Sequence, residues 1–319
     1  MMKFLAAALC LLLPLSWGIG AGESSWRELA ALATGREISD AARTVLLDLR
    51  LPRLLCALFA GGMLGAAGCA SQNLFRNDLA SPHVLGVVHA SALGAVIGLL
   101  LGGSCMTGFA ILFGVAALAL LFLPGRRMGW DGAALILAGI AVNAFASALT
   151  SGALFLAEER LSSMVFWLLG GFWRSSWADV QLLAPVALTG WIVLDRMAPE
   201  MDLLLLGDRT AALSGAKLHW VKPAAMLTVA ALTACAVSCC GVIGFVGLAV
   251  PHMVRLFHGA AFRGLLHRSI LGGGLLLLLA DLAARTCAAP HEIPVGVLTA
   301  LGGGPFFFFL LWRRGGRND

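Results

Sequence analysis

Long apolar runs separated by short polar segments dominate the chain. A helix needs about 20 apolar residues to cross the hydrocarbon core of a bilayer. Because the runs are continuous, without alternation of apolar and polar positions, they favour helices over transmembrane strands. The ten runs are residues 2–20, 52–73, 84–102, 106–124, 132–156, 178–196, 220–240, 242–257, 267–286 and 294–312. The pattern predicts an all-α, polytopic membrane protein with about ten transmembrane helices in a single transmembrane domain, residues 1–319.

Three polar segments are too long to be tight turns. Residues 21–51 form a connector after the first run, and residues 157–177 contain a short apolar piece, 163–172, expected to be an outer helix that does not span. Residues 197–222 form the longest predicted cytoplasmic segment, with two short helical pieces separated near Gly215. The first run also has features of a signal peptide: a lysine near its start, an apolar stretch and small residues near its end.

Composition excludes a water-soluble globule. The 319 residues are 60% hydrophobic and only 12% charged, about half the charged share of a soluble domain, and the mean hydropathy is +0.90. With the N-terminus inside, 14 of the 22 lysines and arginines fall on the inner side, which predicts cytoplasmic termini. The basic residues lie in loops without interleaved aromatics, so nucleic-acid binding is not expected.

Motifs for catalysis are missing from the sequence. The three lysines, Lys3, Lys217 and Lys222, do not lie in a phosphate-binding loop, so any ATP hydrolysis requires another polypeptide. Few ionisable groups are expected near the bundle interior, chiefly Asp281 and Glu292. The small number of ionisable groups argues against a proton-coupled secondary transporter or an intramembrane enzyme, and these two classes remain the alternatives. The eight cysteines have no metal-ligand spacing, so helix packing is expected and no metal site is predicted.

An ordered series of short motifs extends from about residue 50 to residue 312. The motifs are Arg50-Leu-Pro-Arg53, Phe75-Arg76-Asn77-x-Leu79-Ala80-x-Pro82-x-x-Leu85-Gly86-Val87, Leu137-Ala138-Gly139-Ile140, Phe166-Trp167-Leu168-Leu169-Gly170, Leu206-Gly207-Asp208, Gly244-Phe245-Val246-Gly247-Leu248-x-Val250-Pro251-His252-x-x-Arg255, Ala280-Asp281-x-x-Ala284-Arg285 and Ile293-Pro294-Val295-Gly296-Val297-x-Thr299-Ala300. In this order they resemble the iron-siderophore and vitamin B12 (FecCD-like) class of ABC importer permeases.

The resemblance implies a type II ABC importer permease fold with ten helices and a retained first helix. It also implies a second permease subunit, either another copy or a related chain, with the path at the axis between them. Two cytoplasmic ATPase subunits would bind ATP and Mg, and a periplasmic binding protein would dock on the outer face. No cofactor is expected on this chain itself. The location implied is the bacterial inner membrane.

Site residues follow from the same resemblance. Docking of the binding protein is carried over to Arg50, Arg53 and Arg285, whose planar guanidinium groups suit carboxylates. The alternative is simple anchoring at helix ends. Coupling to the ATPase is carried over to a segment in which Ser214-Gly215 departs from the family's usual Leu-Gly. Its residues are Leu205, Leu206, Gly207, Asp208, Arg209, Thr210, Ala211, Ala212, Leu213, Ser214 and Gly215.

The translocation path is expected along the fifth run. By resemblance the inner gate falls at Gly132 and Ala133. Asn143, Ser147 and Thr150 share one helical face by their spacing, which predicts a polar wall. Hydrogen bonding between helices explains these three residues equally well. The predicted function is ATP-driven import of a ferric chelate, siderophore or iron-dicitrate type, with haem or cobalamin as alternative cargoes.

Overall fold

The computed structural model describes residues 2–18, 26–34, 36, 38–103, 105–127, 130 and 132–315. Within these ranges the chain is helical and has no strand. The α-helices are α1 Met2–Gly18, α2 Trp26–Ala33, α3 Asp40–Thr44, α4 Leu51–Leu74, α5 Val87–Leu100, α6 Met106–Arg127, α7 Gly132–Phe155, α8 Leu161–Leu168, α9 Trp177–Arg196, α10 Ala198–Leu204, α11 Asp208–Leu213, α12 Leu218–Cys240, α13 Val246–His258, α14 Phe262–Thr286 and α15 Val295–Gly315. A π-helical turn, Val45–Arg50, joins α3 to α4.

Ten helices coincide with the ten predicted apolar runs: α1, α4–α7, α9 and α12–α15. Among the described residues, six helical segments are long and apolar enough to cross a membrane by length and composition. One of them continues from Asp40 to Leu74, through the π-helical turn. Three further apolar helices are shorter, and α13 has 13 residues. The prediction of a polytopic helical bundle is confirmed, and the number ten is approximate.

Helix α4 is the central element, and it packs most closely against α14. Gly65 faces Ser269 and Gly61 faces Gly273, so closely that a Cβ atom on either α4 glycine would overlap a carbonyl group of α14. The two helices are antiparallel, and the same register brings Arg53 on α4 to Asp281 on α14. Small residues at this contact therefore position the charged residues at the end of the bundle.

The segment between α9 and α12 differs in detail from its prediction. Its two short helices, α10 and α11, are separated at Gly207 rather than near Gly215. Gly207 has φ +98°, a conformation that only glycine adopts without strain. Gly215, at φ +91°, follows the end of α11 instead. The prediction placed the break at the wrong one of two glycines that share this conformation.

The other two polar segments also contain short helices. Helix α8 covers Leu161–Leu168, where the sequence predicted a short helix at 163–172, and it is preceded by a 3-10 turn at Glu158–Arg160. The connector predicted at 21–51 contains α2 and α3. Residues 21–25, 35 and 37 of it lie outside the described part of the chain.

Candidate functional sites at the two ends of the bundle

Charged side chains gather at both ends of α4. Arg53 lies in its first turn, and Arg76 lies two residues beyond its end. A helix of 24 residues is about 36 Å long. The group of Arg50, Arg53, Asp281, Arg285 and Glu292 is called the arginine cluster below. The group of Arg76, Asp208 and Lys222 with the carbonyl of Trp130 is called the lysine cluster.

Arg53 is the centre of the arginine cluster. Its Nη1 and Nη2 atoms donate to the two carboxylate oxygens of Glu292, at 3.0 and 2.9 Å. Its Nε atom donates to Oδ1 of Asp281 at 2.9 Å. The planar guanidinium group thus forms a two-pronged ion pair with one carboxylate and a second ion pair with another. Helices α4 and α14 and the loop before α15 are joined at this residue.

The other two arginines of the cluster hold the end of α1. Arg285 pairs with Oδ2 of Asp281 at 3.1 Å, and its Nη2 donates to the carbonyl and hydroxyl oxygens of Ser16 at 3.0 and 2.9 Å. Arg50 donates through Nη1 to the carbonyl oxygens of Trp17 and Gly18 at 3.2 and 3.4 Å. These carbonyls lie in the last turn of α1, where helical acceptors have no partner within the helix. Both arginines therefore cap α1.

The three arginines of the cluster are more buried than residues of a simple exposed docking surface would be. Arg50 is 8% exposed, Arg285 is 6% exposed and the Arg53 side chain is 13% exposed. The sequence predicted docking residues here, and the structure brings all three together while directing most of their donors into the chain. The sequence did not identify Asp281 and Glu292 as partners of the arginines, because these two residues lie 228 and 239 positions from Arg53. Docking itself stays a prediction.

The lysine cluster lies at the opposite end of α4. Nζ of Lys222 lies 2.7 Å from Oδ2 of Asp208 and donates to the carbonyl oxygen of Trp130 at 3.2 Å. Nη2 of Arg76 lies 3.8 Å from Oδ1 of Asp208. Asp208 is the first residue of α11, inside the segment predicted to couple to an ATPase. Lys222 received no role from the sequence, although it is one of only three lysines.

Two leucines of the segment predicted to couple to an ATPase are exposed. Leu206 and Leu213 are 63% and 83% exposed, whereas Ala211 between them is fully buried. The segment is anchored from the other side, because Oδ1 of Asp202 on α10 accepts the backbone N–H of Phe262 at 2.7 Å. Helices α10 and α11 are therefore held against the bundle while presenting apolar side chains outward. The remaining residues of 205–215 carry no assignment beyond this placement.

Helix α7 carries the residues predicted for the path. Nδ2 of Asn143 donates to the carbonyl of His83 at 2.7 Å, the interhelical bonding that the sequence left as an alternative. Oγ1 of Thr150 donates to the carbonyl of Ala146 at 2.8 Å, and the carbonyl of Ser147 accepts the hydroxyl of Ser151 at 3.0 Å. The Asn143 bond holds α7 on the turn Pro82–Leu85, the other two bonds lie within α7, and the lining of a path stays a prediction.

Much of α7 is left uncovered by the other described residues. Its exposed apolar side chains are Leu137, Ile140, Phe145, Leu149 and Phe155. Gly132 and Ala133, the predicted gate residues, form its first turn. A span of this hydropathy needs lipid or another subunit around it. The position of α7 at the edge of the bundle is compatible with a path between two subunits.

Metal ligation has no support within the described residues. No group of three or more histidine, cysteine, aspartate or glutamate side chains there could hold a metal ion. The cysteines in apolar runs are free, and Cys56, Cys69, Cys235 and Cys240 are buried. Their packing is that of small apolar side chains.

The described residues form a polytopic helical bundle with a charged cluster at each end of α4 and one buried carboxylate, an architecture that suits a membrane transport permease. The chain belongs to the FecCD transport family, whose model matches residues 8–313. Proteins of this family are transport permeases, and the energy-yielding ATP hydrolysis belongs to separate ATPase subunits.

Individual relatives extend the match over nearly the whole chain. The Fe(3+) dicitrate transport system permease protein FecD of Escherichia coli is 38% identical over 97% of this chain and 96% of its own length. The hemin transport system permease protein HmuU of Yersinia pestis is 37% identical over 98% of this chain and 96% of its own length. The two relatives are named for different cargoes, so family membership fixes the transport class and leaves the cargo open.

A solved structure matches the fold. A metal-chelate type ABC transporter in an inward-facing conformation superposes with a TM-score of 0.88 and 33% identity, covering 98% of each chain. The type II ABC importer permease fold predicted from the sequence is therefore confirmed.

Proposed function

We propose that this chain is the permease subunit that moves a ferric chelate, of siderophore or iron-dicitrate type, from a periplasmic binding protein to the cytoplasm by alternating access. The observation that carries the proposal is the near full-length similarity to the iron-dicitrate permease. Haem is the second candidate, because the haemin permease matches with almost the same identity. Cobalamin is a third cargo on the same fold.

The buried charges favour an external energy source over a proton gradient. Asp281, 1% exposed, is the one fully buried carboxylate among the described residues, and it is paired with both Arg53 and Arg285. Its two oxygens are already engaged in ion pairs with these arginines, so the described residues contain no buried carboxylate without an ion-pair partner. A proton-coupled secondary transporter needs carboxylates that titrate during the cycle. ATPase subunits binding ATP and Mg supply the energy in the proposed assembly.

The proposed assembly uses three surfaces. Two ATPase subunits bind at α11, where Leu206 and Leu213 are exposed. A second permease, identical or related, covers the exposed side of α7. The binding protein docks at the end that carries the arginine cluster. The protein lies in the bacterial inner membrane, and both of its termini face the cytoplasm.

Docking by carboxylates remains compatible with the burial of the arginine cluster. Within the cluster three arginines contact two carboxylates, and the carboxylate of Glu28 lies close enough to Arg50 to interact with it electrostatically. Glu292 is the exposed partner, with its side chain 32% accessible. Arg50 has a buried Nη2 atom without a hydrogen-bond partner among the described residues. A carboxylate of the binding protein would compete with Glu292 for Arg53, so docking would exchange one ion pair for another.

Reconstitution tests the transport function. The permease is placed in proteoliposomes with the ATPase and binding protein encoded by neighbouring genes. Uptake of radiolabelled ferric dicitrate, haemin and cobalamin is then measured with and without ATP. The proposal expects ATP-dependent uptake of the ferric chelate, and uptake of haemin alone would select the second candidate. Uptake that persists without any ATPase subunit would overturn the importer assignment.

Two variants with opposite expected effects test docking. Charge reversal of Arg53 by R53E should weaken binding of the binding protein at least about tenfold, with a strong salt dependence. Glu292→Gln should strengthen binding, because it removes the internal competitor. The matched control is R196E, which alters an exposed arginine at the other end of the bundle. Weakening by both Arg53→Glu and Glu292→Gln would indicate a structural role for the cluster instead.

A further inference from the structure

An apolar groove lies between α1, α9 and α14, with α4 at its floor. It consists of two adjoining cavities of about 300 and 430 Å³, and Trp191, Ile270 and Leu271 line both of them. His267 is the one lining residue with a polar side chain. Cavities of this size lie in the range of ligand sites in proteins. An apolar ligand therefore has room between these four helices.

The groove is about as deep as one leaflet of a bilayer. Along α9 its lining extends from Ala184 to Trp191, and Asp195 follows one helical turn later. The helix rises about 16 Å from Ala184 to Asp195, and half of the hydrocarbon core is about 15 Å thick. A single acyl chain thus matches the groove from the polar end of α9 to the middle of the membrane.

Three polar side chains, Asp195, Arg263 and His267, surround the entrance of the groove and are called the polar mouth below. Oδ1 of Asp195 lies 3.1 Å from Nε of Arg263 and 3.0 Å from Nε2 of His267. The His267 ring packs edge-on against Trp191, with ring centroids 5.8 Å apart. The Arg263 side chain is 58% exposed and that of Asp195 is 30% exposed. The mouth therefore presents a cation and an anion to the headgroup region of a bilayer.

We propose that the groove binds a phospholipid with a phosphoethanolamine headgroup, whose acyl chain lies among the apolar residues. The guanidinium group of Arg263 pairs with the phosphate, and the carboxylate of Asp195 accepts N–H bonds from the lipid ammonium group. In the proposed orientation this lipid belongs to the cytoplasmic leaflet. The site is separate from the transported cargo and from α7, the helix proposed to face a second permease.

The mixed charge of the polar mouth selects this headgroup over two common alternatives. The ammonium group of phosphatidylcholine is fully methylated and has no N–H to donate to Asp195. Phosphatidylglycerol has no cation, so its phosphate would meet the Asp195 carboxylate without a compensating charge. Only the phosphoethanolamine headgroup of these three offers an acceptor to Arg263 and charged donors to Asp195.

The first test compares the three lipids directly. The permease is placed in nanodiscs that contain equal amounts of phosphatidylethanolamine, phosphatidylcholine and phosphatidylglycerol with identical acyl chains. Native mass spectrometry then measures the lipid that stays bound. The proposal expects about tenfold more phosphatidylethanolamine than either other lipid, the ratio that one charge-assisted hydrogen bond supplies. Equal retention would indicate unspecific surrounding lipid, and a preference for phosphatidylglycerol would indicate a site for anionic lipid. Either result would overturn the proposal.

Variants of the polar mouth assign the two halves of the headgroup. Asp195→Asn should abolish the preference for phosphatidylethanolamine, whereas Asp195→Glu should keep it, which a loss of folding would not allow. The matched control is D48N, at an exposed aspartate near the other end of the bundle. Arg263→Gln should lower retention of all three lipids about tenfold, because all carry the phosphate. A preference that survives in D195N, or retention unchanged in R263Q, would place the lipid elsewhere.

A third variant tests the position of the acyl chain. Ala187 lines the groove on α9, so Ala187→Phe should fill it and displace two or more methylene groups of the chain. Retained phosphatidylethanolamine should then fall about tenfold. Ala148→Phe, at an exposed alanine of α7, is the matched control. Unchanged retention in A187F would show that the chain lies outside the groove.

Discussion

The two ionic clusters use the same chemistry at opposite ends of α4 and differ in how they are enclosed. In the arginine cluster the Arg53 side chain is 13% exposed and Asp281 only 1%. In the lysine cluster the Arg76 and Asp208 side chains are 45% and 42% exposed, and only Lys222 is buried. The first is an ion-pair network that joins helices within the chain. The second is open on the side where a partner would bind.

The difference in enclosure predicts different energetics. Buried ion pairs are costly to assemble and far more costly to break at one partner, because the remaining charge cannot be rehydrated. Half-exposed pairs are screened by water and salt and contribute little to stability. The arginine cluster is thus expected to fix the structure, and the lysine cluster to permit motion.

The largest expected effect follows from removing the shared carboxylate of the arginine cluster. Asp281→Ala leaves Arg285 without its counter-charge and Arg53 with one partner, which should cost about 3–5 kcal/mol of folding free energy. The measurement is the thermal unfolding midpoint of purified permease in detergent. The control is Glu292→Gln, at the partly exposed side chain, with less than half that loss. Equal losses in the two variants would contradict the difference in burial.

The packing that positions the arginine cluster should show the next largest effect. Gly65→Ala inserts a methyl group against the carbonyl of Ser269 and should cost about 1–3 kcal/mol by forcing α4 from α14. Gly108→Ala is the matched control, because nothing lies within 4 Å of an added Cβ there. Unfolding in the same detergent measures both. A Gly108 variant as unstable as the Gly65 variant would refute the close-approach argument.

The lysine cluster should tolerate the loss of an arginine charge better than the arginine cluster does. Arg76→Gln is expected to cost less than about 1 kcal/mol, since its ion pair with Asp208 is exposed. Arg53→Gln is the comparison, and it should be several times more destabilising because Glu292 loses its ion-pair partner and Asp281 loses one of its two. Both are read from unfolding midpoints. Similar losses would show that enclosure does not set the strength of these pairs.

Added salt should produce the smallest change in stability, and this change should differ between variants of the two clusters. Raising the ionic strength from about 0.1 M to about 1 M shortens the Debye length from about 10 Å to about 3 Å. The small stability difference between wild type and Arg76→Gln should vanish, whereas the loss caused by Asp281→Ala should persist. Unfolding of the three proteins at both salt concentrations decides this. Loss of the Asp281 effect at high salt would place that cluster in contact with solvent.

The fold was predictable because its signal is local. Each apolar run of about 20 residues specifies a spanning helix without reference to the rest of the chain. The break near Gly215 was predicted wrongly because Gly207 and Gly215 carry the same local signal, and only packing decides which one separates two helices. The 13-residue helix α13 shows the same limit, since Phe245 at positive φ makes it begin later than the apolar run predicted from residue 242.

The clusters were predictable only in part because their signal is not local. The motifs marked Arg50, Arg53, Arg285 and Asp208 as positions of interest. They did not identify Asp281 and Glu292 as partners of Arg53, more than 220 residues away. Lys222 had a weaker signal, a lysine in the first turn of an apolar helix. Such a residue needs a nearby acceptor, and the sequence does not say which.

The hydrogen bonds from Arg285 to Ser16 have a consequence for how the protein is made. The two residues are 269 positions apart, so α1 is synthesised long before the side chain that caps its last turn. Until α14 is inserted, Arg50 can bind the carbonyl oxygens of Trp17 and Gly18, but the carbonyl of Ser16 lacks the donor that it has in the described structure. A nascent or truncated permease therefore has a helix end that is unfinished in its hydrogen bonding. The hydrogen bonding at the end of α1 is therefore completed only after α14 has been inserted.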